Sequence, residues 1–142
     1  MLQKNKHRFT NKLTRDLAWA IGSKSLMSAQ FSHLICDDDF YDNLFNNNLY
    51  LLESIENNPS KFAQFIDSNK ERHKRIGLYF EDLWKFWLNN PPDYQVILHN
   101  VQVQSDKNTL GAFDLIVMNE REEGEHWELA IKFYLGLNNS QN

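Results

Sequence analysis

Asn89-Asn90-Pro91-Pro92 is the point at which this chain must change structure. Consecutive prolines remove backbone donors and push the preceding residue out of the helical region, so no helix passes through them. The hydrophobic period changes at the same place. From Lys70 to Asn89, the residues Ile76, Tyr79, Phe80, Leu83, Trp84 and Trp87 recur at spacings of three and four, which predicts one long buried helix. Beyond the prolines the period falls to two, predicting strands over Tyr94 to Gln104, Gly111 to Asn119 and His126 to Leu135. Ser105-Asp106-Lys107-Asn108 and Glu120 to Gly124 supply the turns of an antiparallel meander.

Upstream the pattern is helical. Leu13, Leu17, Ala20 and Ile21 predict a helix within residues 12–28, and Phe40, Leu44, Tyr50, Leu51 and Ile55 predict another. That second helix is entered from Asp37-Asp38-Asp39 and closed by Asn57-Asn58-Pro59. A shorter helix runs from Ser60 as N-cap to Asp67. The expected fold is therefore α+β: N-terminal helices over 1–69, then a buried helix and three strands over 70–136 sharing one core with them, and a polar tail at 137–142. Phe113, Leu115 and Val117 share one side of the second strand, while Ile116 and Met118 share the other with Asp114. A sheet covered on both faces is expected.

Composition excludes several functions. Of 142 residues, 42% are hydrophobic, with four Trp and ten Phe, enough for a real core. A net charge of -4 gives no global reason for a nucleic-acid coat, so phosphate contact would fall to local patches such as Lys70 to Arg75 or Lys4, Lys6, His7, Arg8 and Lys12. One cysteine, Cys36, excludes an internal disulfide framework. No apolar run approaches the roughly 20 residues that span a bilayer. The N-terminus lacks a signal-peptide pattern, and a cytoplasmic protein with no membrane partner is the expectation.

The even positions of HWELAIKFYL, at residues 126–135, place His126, Glu128, Lys132 and Tyr134 opposite an apolar face. With Asp114 on the neighbouring strand, they make an arrangement of two carboxylates and a lysine. Carboxylate oxygens hold Mg²⁺, and a nearby lysine can orient a water for attack on a phosphodiester. A solvated strand face with cross-strand ion pairs has the same composition.

The stretches TRDLAWAIGSKSLM, RIGLYFEDLWKFWL, HNVQVQ, TLGAFDLIVMN and HWELAIKFYLG together resemble the bacterial domain-of-unknown-function family 1853 over about Thr14 to Gly136. That family is similar in turn to the PD-(D/E)XK, or restriction-endonuclease-like, nuclease superfamily. The resemblance implies a partial nuclease core. Within it Asp114 would be a catalytic metal ligand, Lys132 the catalytic lysine and Glu81 an auxiliary metal carboxylate for Mg²⁺, with Glu128, the nearest carboxylate to the remaining position, as the second catalytic metal ligand by migration. The implied partner is nucleic acid.

Two departures stand out. Ala130 occupies the acidic position two residues before the lysine, and Glu128 lies roughly 13 Å from Lys132 along an extended strand, against roughly 7 Å for an ordinary pair. Family members also run on past the third strand, so the chain reads as a shortened form or fragment. An open sheet edge of this kind invites self-association. Either the carboxylate has migrated to Glu128, or the fold is a catalytically inactive module for binding or assembly.

Overall fold

The computed structural model describes residues 8–25, 35–90, 94–105 and 108–132. Among them are helices α1 (Lys12–Gly22), α2 (Asp38–Asn47), α3 (Leu49–Asn57), α4 (Ser60–Ser68) and α5 (Ile76–Leu88). Strands β1 (Tyr94–Ser105), β2 (Asn108–Asn119) and β3 (Gly124–Trp127) follow. The strands pair antiparallel in the order β1-β2-β3. The fold is thus α+β with the expected meander. The predicted prolines' stop, part of the first strand turn, the basic residues before Arg8, and everything after Lys132 lie outside the described residues.

Helix boundaries are set by polar side chains that compete with the backbone. Asn11 caps α1 by accepting from the Leu13 and Thr14 amides. That helix ends at Gly22, six residues short of the expected limit, because Ser23 turns extended. Asp37 caps α2 through the Phe40 amide. The single helix expected from Phe40 to Ile55 is instead two. Asn48 sits buried at the break, and its side-chain amide donates to the Leu44 carbonyl at 2.8 Å. Pro59, not Ser60, takes the N-cap position of α4, and its fixed ring suits the start of a helix.

The predicted long helix is also shorter at its start. Arg72–Lys74 forms a tight 3₁₀ turn, Arg75 is extended, and α5 begins only at Ile76. The cause lies nearly two turns into α5. Asp82 has a buried carboxylate, and His73 reaches it at 2.9 Å, Arg72 at 3.3 Å and Lys85 at 3.5 Å. A buried charge needs partners, and a continuous helix from Lys70 would carry Arg72 and His73 away from this one.

One core joins helices to sheet. Trp84, Phe86 and Trp87 of α5 pack with Leu17 and Ile21 of α1, with Phe45, Leu52 and Phe62 of the intervening helices, and with Leu115 and Val117 of β2. Phe62 stacks on Phe86 with centroids 4.1 Å apart. Tyr94 and Trp127 carry the aromatic contacts into the sheet, Trp127 meeting Trp84 edge-on at 5.9 Å and Tyr94 at 5.1 Å. The expected cover on both sheet faces is not found: beside the core, Ile97 and Leu98, the latter opposite Ile116, stand in solvent. The far half of the β1–β2 ribbon is more exposed still, with Leu110 in solvent. Register shifts between Val96 and Leu98 and between Val103 and Gln104 bend that ribbon away from a flat edge.

The N-terminal segment is pinned by Glu56 of α3, which accepts from the Thr10 hydroxyl at 2.6 Å and the Thr10 amide at 2.7 Å. These bonds, the hydroxyl's foremost, hold the Glu56 carboxyl at about 2 instead of 4.5. A depressed carboxyl stabilises the fold fully above its unfolded value and loses that contribution as pH falls towards the folded one. Wild-type melting temperature is therefore expected to drop between pH 4.5 and about 2 more steeply than that of Glu56→Gln, as calorimetry across this range would read. Asp82→Ala, which strands the Arg72 and Lys85 cations and the His73 ring but lets the part-exposed Arg72 rehydrate, is expected to cost about 2 kcal/mol in urea unfolding.

Candidate functional site

Asp114 lies near the middle of β2, half-buried, two residues past the exposed part of the ribbon. β3 pairs with β2 through Leu115↔Trp127, Ile116↔His126, Val117↔Glu125 and Met118↔Gly124. Continuing this register sets Asp114 opposite Glu128. The pairing stops there, however, because Asp114 Oδ2 accepts the Leu129 amide at 3.0 Å. An aspartate side chain has taken a donor that a longer ladder would have used, which is why β3 ends at Trp127 and not Leu135.

The segment after β3 keeps the expected alternation without being a strand as far as it is described. Trp127, Leu129 and Ile131 are half-buried, whereas His126, Glu128, Ala130 and Lys132 are exposed. His126 Nε2 meets Glu128 Oε1 at 2.5 Å, and the His126 ring stands edge-on to Phe113 at 4.6 Å. Ile131 turns onto the helices, closing a cleft of about 250 Å³ between α1 and α5 with Trp19, Ile76, Tyr79, Phe80 and Leu83. Inside that cleft the Tyr79 hydroxyl donates to Asp16 at 2.6 Å. Burial and that bond push the phenol well above its usual range.

The four residues singled out by sequence therefore have different settings. Asp114 and Glu128 are brought to one end of the β2–β3 pair, linked through the peptide between Glu128 and Leu129. Lys132 is exposed in the same segment. Glu81 belongs to the cationic cluster on α5, where its Oε2 lies 3.7 Å from Arg72 and 3.8 Å from Lys85.

These settings decide how well a metal would fit. Asp114 Oδ1 and Glu128 Oε2 are not engaged by the bonds just described, and Mg²⁺ commonly takes one or two carboxylates and fills its shell with water and phosphate. Asp114 and Glu128 suit that pattern. Glu81, shared between two cations, would have to leave both. Among the described residues no group of three His, Cys, Asp or Glu side chains is placed to hold a metal ion.

Sequence reasoning passed over Asp82 and its partners. The signal was present: an aspartate three residues after Tyr79 and four before Phe86 falls in the helical phase of the apolar face, and His73 and Arg72 precede it by nine and ten residues. A charge in that phase demands a counter-charge.

If Asp114 holds the Leu129 amide, removing the carboxylate frees that donor to solvent. Asp114→Ala is expected to raise hydrogen exchange at Leu129 by about fivefold, the loss of roughly 1 kcal/mol of hydrogen bond. Exchange at Leu115, inside the ladder, should change far less, and nuclear magnetic resonance reads both.

Across residues 15–142 the chain matches the family profile described as Domain of unknown function (DUF1853). No curated protein and no solved structure matches it.

Proposed function

The chain belongs to the DUF1853 family, and we propose that it is a metal-dependent, nuclease-like domain acting on phosphodiesters of nucleic acid. One observation carries this reading: Asp114 is fixed against the peptide that follows Glu128, so two carboxylates stand at the end of one sheet with Lys132 in the same exposed segment. In this reading Asp114 and Glu128 would hold Mg²⁺, which when bound would supply a Lewis acid and an activated water. The protein's own part is to set the carboxylates and bring up charge. The Lys132 ammonium orients the water and balances negative charge at the phosphate, and His126 restrains Glu128 through their 2.5 Å contact. Glu81 assists only at one remove, by pairing with Arg72 ahead of α5 and with Lys85 in its last turn.

A second reading is favoured by a specific residue. Ala130 stands where the superfamily pattern has its acidic partner. On that reading the chain is a catalytically inactive module for binding or assembly, using the exposed ribbon and its open edge.

A nuclease assay on single- and double-stranded DNA and RNA, with Mg²⁺ or Mn²⁺ titrated in, separates the two. The expected result is metal-dependent cleavage that falls at least a hundredfold in Asp114→Ala and in Lys132→Ala. Cleavage surviving both substitutions would belong to a contaminant, and no cleavage by the wild type under any metal would leave the binding module standing.

A further inference from the structure

The ladder on the other side of Asp114 is broken as well. Pairing of β1 with β2 passes from His99↔Leu115 directly to Val101↔Phe113, so Asn100 stands opposite Asp114 without pairing with it. Asn100 has φ 51, in the left-handed region, where a strand residue ordinarily lies near -140. Regular pairing resumes on both sides of it. Within the described residues only Glu122, in the β2–β3 turn, shares a positive φ without being glycine. Asn100 is therefore a left-handed residue set within a strand, at the level of the candidate metal ligand.

We propose that Asn100 is a positioning residue for Asp114: its left-handed backbone holds residue 114 out of the β1 ladder, and this lets the Asp114 carboxylate reach the Leu129 amide on the opposite side. The inference rests on the reading of Asp114 as a metal ligand for its functional meaning, though not for its geometry. Residue type supports it. Asparagine tolerates the left-handed region several-fold better than other residues with a Cβ, and it is a poor strand former. The exposed side chain of Asn100 has no core to fill. Position supports it further. β3 stops pairing at Trp127, so both ladders lapse at the same residue of β2. A carboxylate in a regular strand projects from the sheet face, whereas this one bonds a backbone amide of the neighbouring segment.

The test compares substitutions at residue 100 by their backbone preference. Glycine accepts positive φ freely, while valine strongly favours a regular strand. Asn100→Gly is expected to keep the Leu129 amide resonance at its wild-type position in the ¹H–¹⁵N spectrum. Asn100→Val is expected to move it to the position seen in Asp114→Ala, and to weaken Mn²⁺ binding, read by paramagnetic broadening, by about ten- to a hundredfold. Rescue by glycine separates positioning from a role of the amide side chain. Should the valine variant fail to fold, Asn100→Ala takes its place with the same expected direction. An unmoved Leu129 resonance in the folded valine or alanine variant overturns the proposal, as does a glycine variant that loses the bond. Wild-type protein that binds no Mn²⁺ would instead sink the metal-dependent reading, because the Leu129 resonance is read without metal.

Discussion

Trp84 and Trp87 are almost wholly withdrawn from water on α5, and the remaining elements pack so as to keep them there. Each large aromatic contributes a few kcal/mol through burial. Helix α1 covers one flank with Leu17 and Ile21, Phe62 stacks on the neighbouring Phe86, and Trp127 and Tyr94 close the sheet side. Neither indole N–H has a hydrogen-bond partner among the described residues. Two buried donors without partners cost stability, so the gain from packing these rings has to exceed that cost. The sheet is attached to the helices through this aromatic contact, which fixes where its polar end can lie.

Asp82 adds an electrostatic constraint to the same helix. Its buried carboxylate draws Arg72, His73 and Lys85 inward, and Glu81 shares Arg72 and Lys85 with it. The basic run that precedes α5 is consequently bent into a 3₁₀ turn and partly neutralised. Lys74 is also paired, with Glu71 at 2.5 Å. Within a run that reads as a phosphate-binding strip, Arg72 and His73 instead face carboxylates of the helix it introduces.

Much of the architecture was legible because it follows from periodicity. The change from period 3.6 to period 2 across Pro91-Pro92 separates helices from strands, and the alternation of Trp127, Leu129 and Ile131 with exposed neighbours persists beyond the end of β3. Boundaries were less legible. Asn48 splitting one helix and Asp114 ending β3 are single polar side chains that outcompete a regular backbone bond, and Asp82 shortens another helix by drawing side-chain partners to its buried charge. Whether such a side chain wins depends on burial and on donors distant in sequence, which no local window contains. Of the candidate site, Asp114 could be placed on the second strand from spacing alone, whereas Glu128, expected on the third, falls just past its end. The kink at Asn100 could not be anticipated, since an asparagine within a polar-apolar alternation looks like any other solvent-facing residue.

By itself the sequence determined the element types and their order, the apolar face of α5, and the set of polar residues eligible for chemistry. Those depend on side-chain size, solubility and backbone preference, which each residue carries with it. The tertiary structure decided which of those polar residues have partners. It gave Glu81 to Arg72 and Lys85, Glu128 to His126, and one oxygen of Asp114 to the Leu129 amide. Charge and hydrogen bonding act over a few ångströms in space whatever the distance along the chain, and only folding sets those separations.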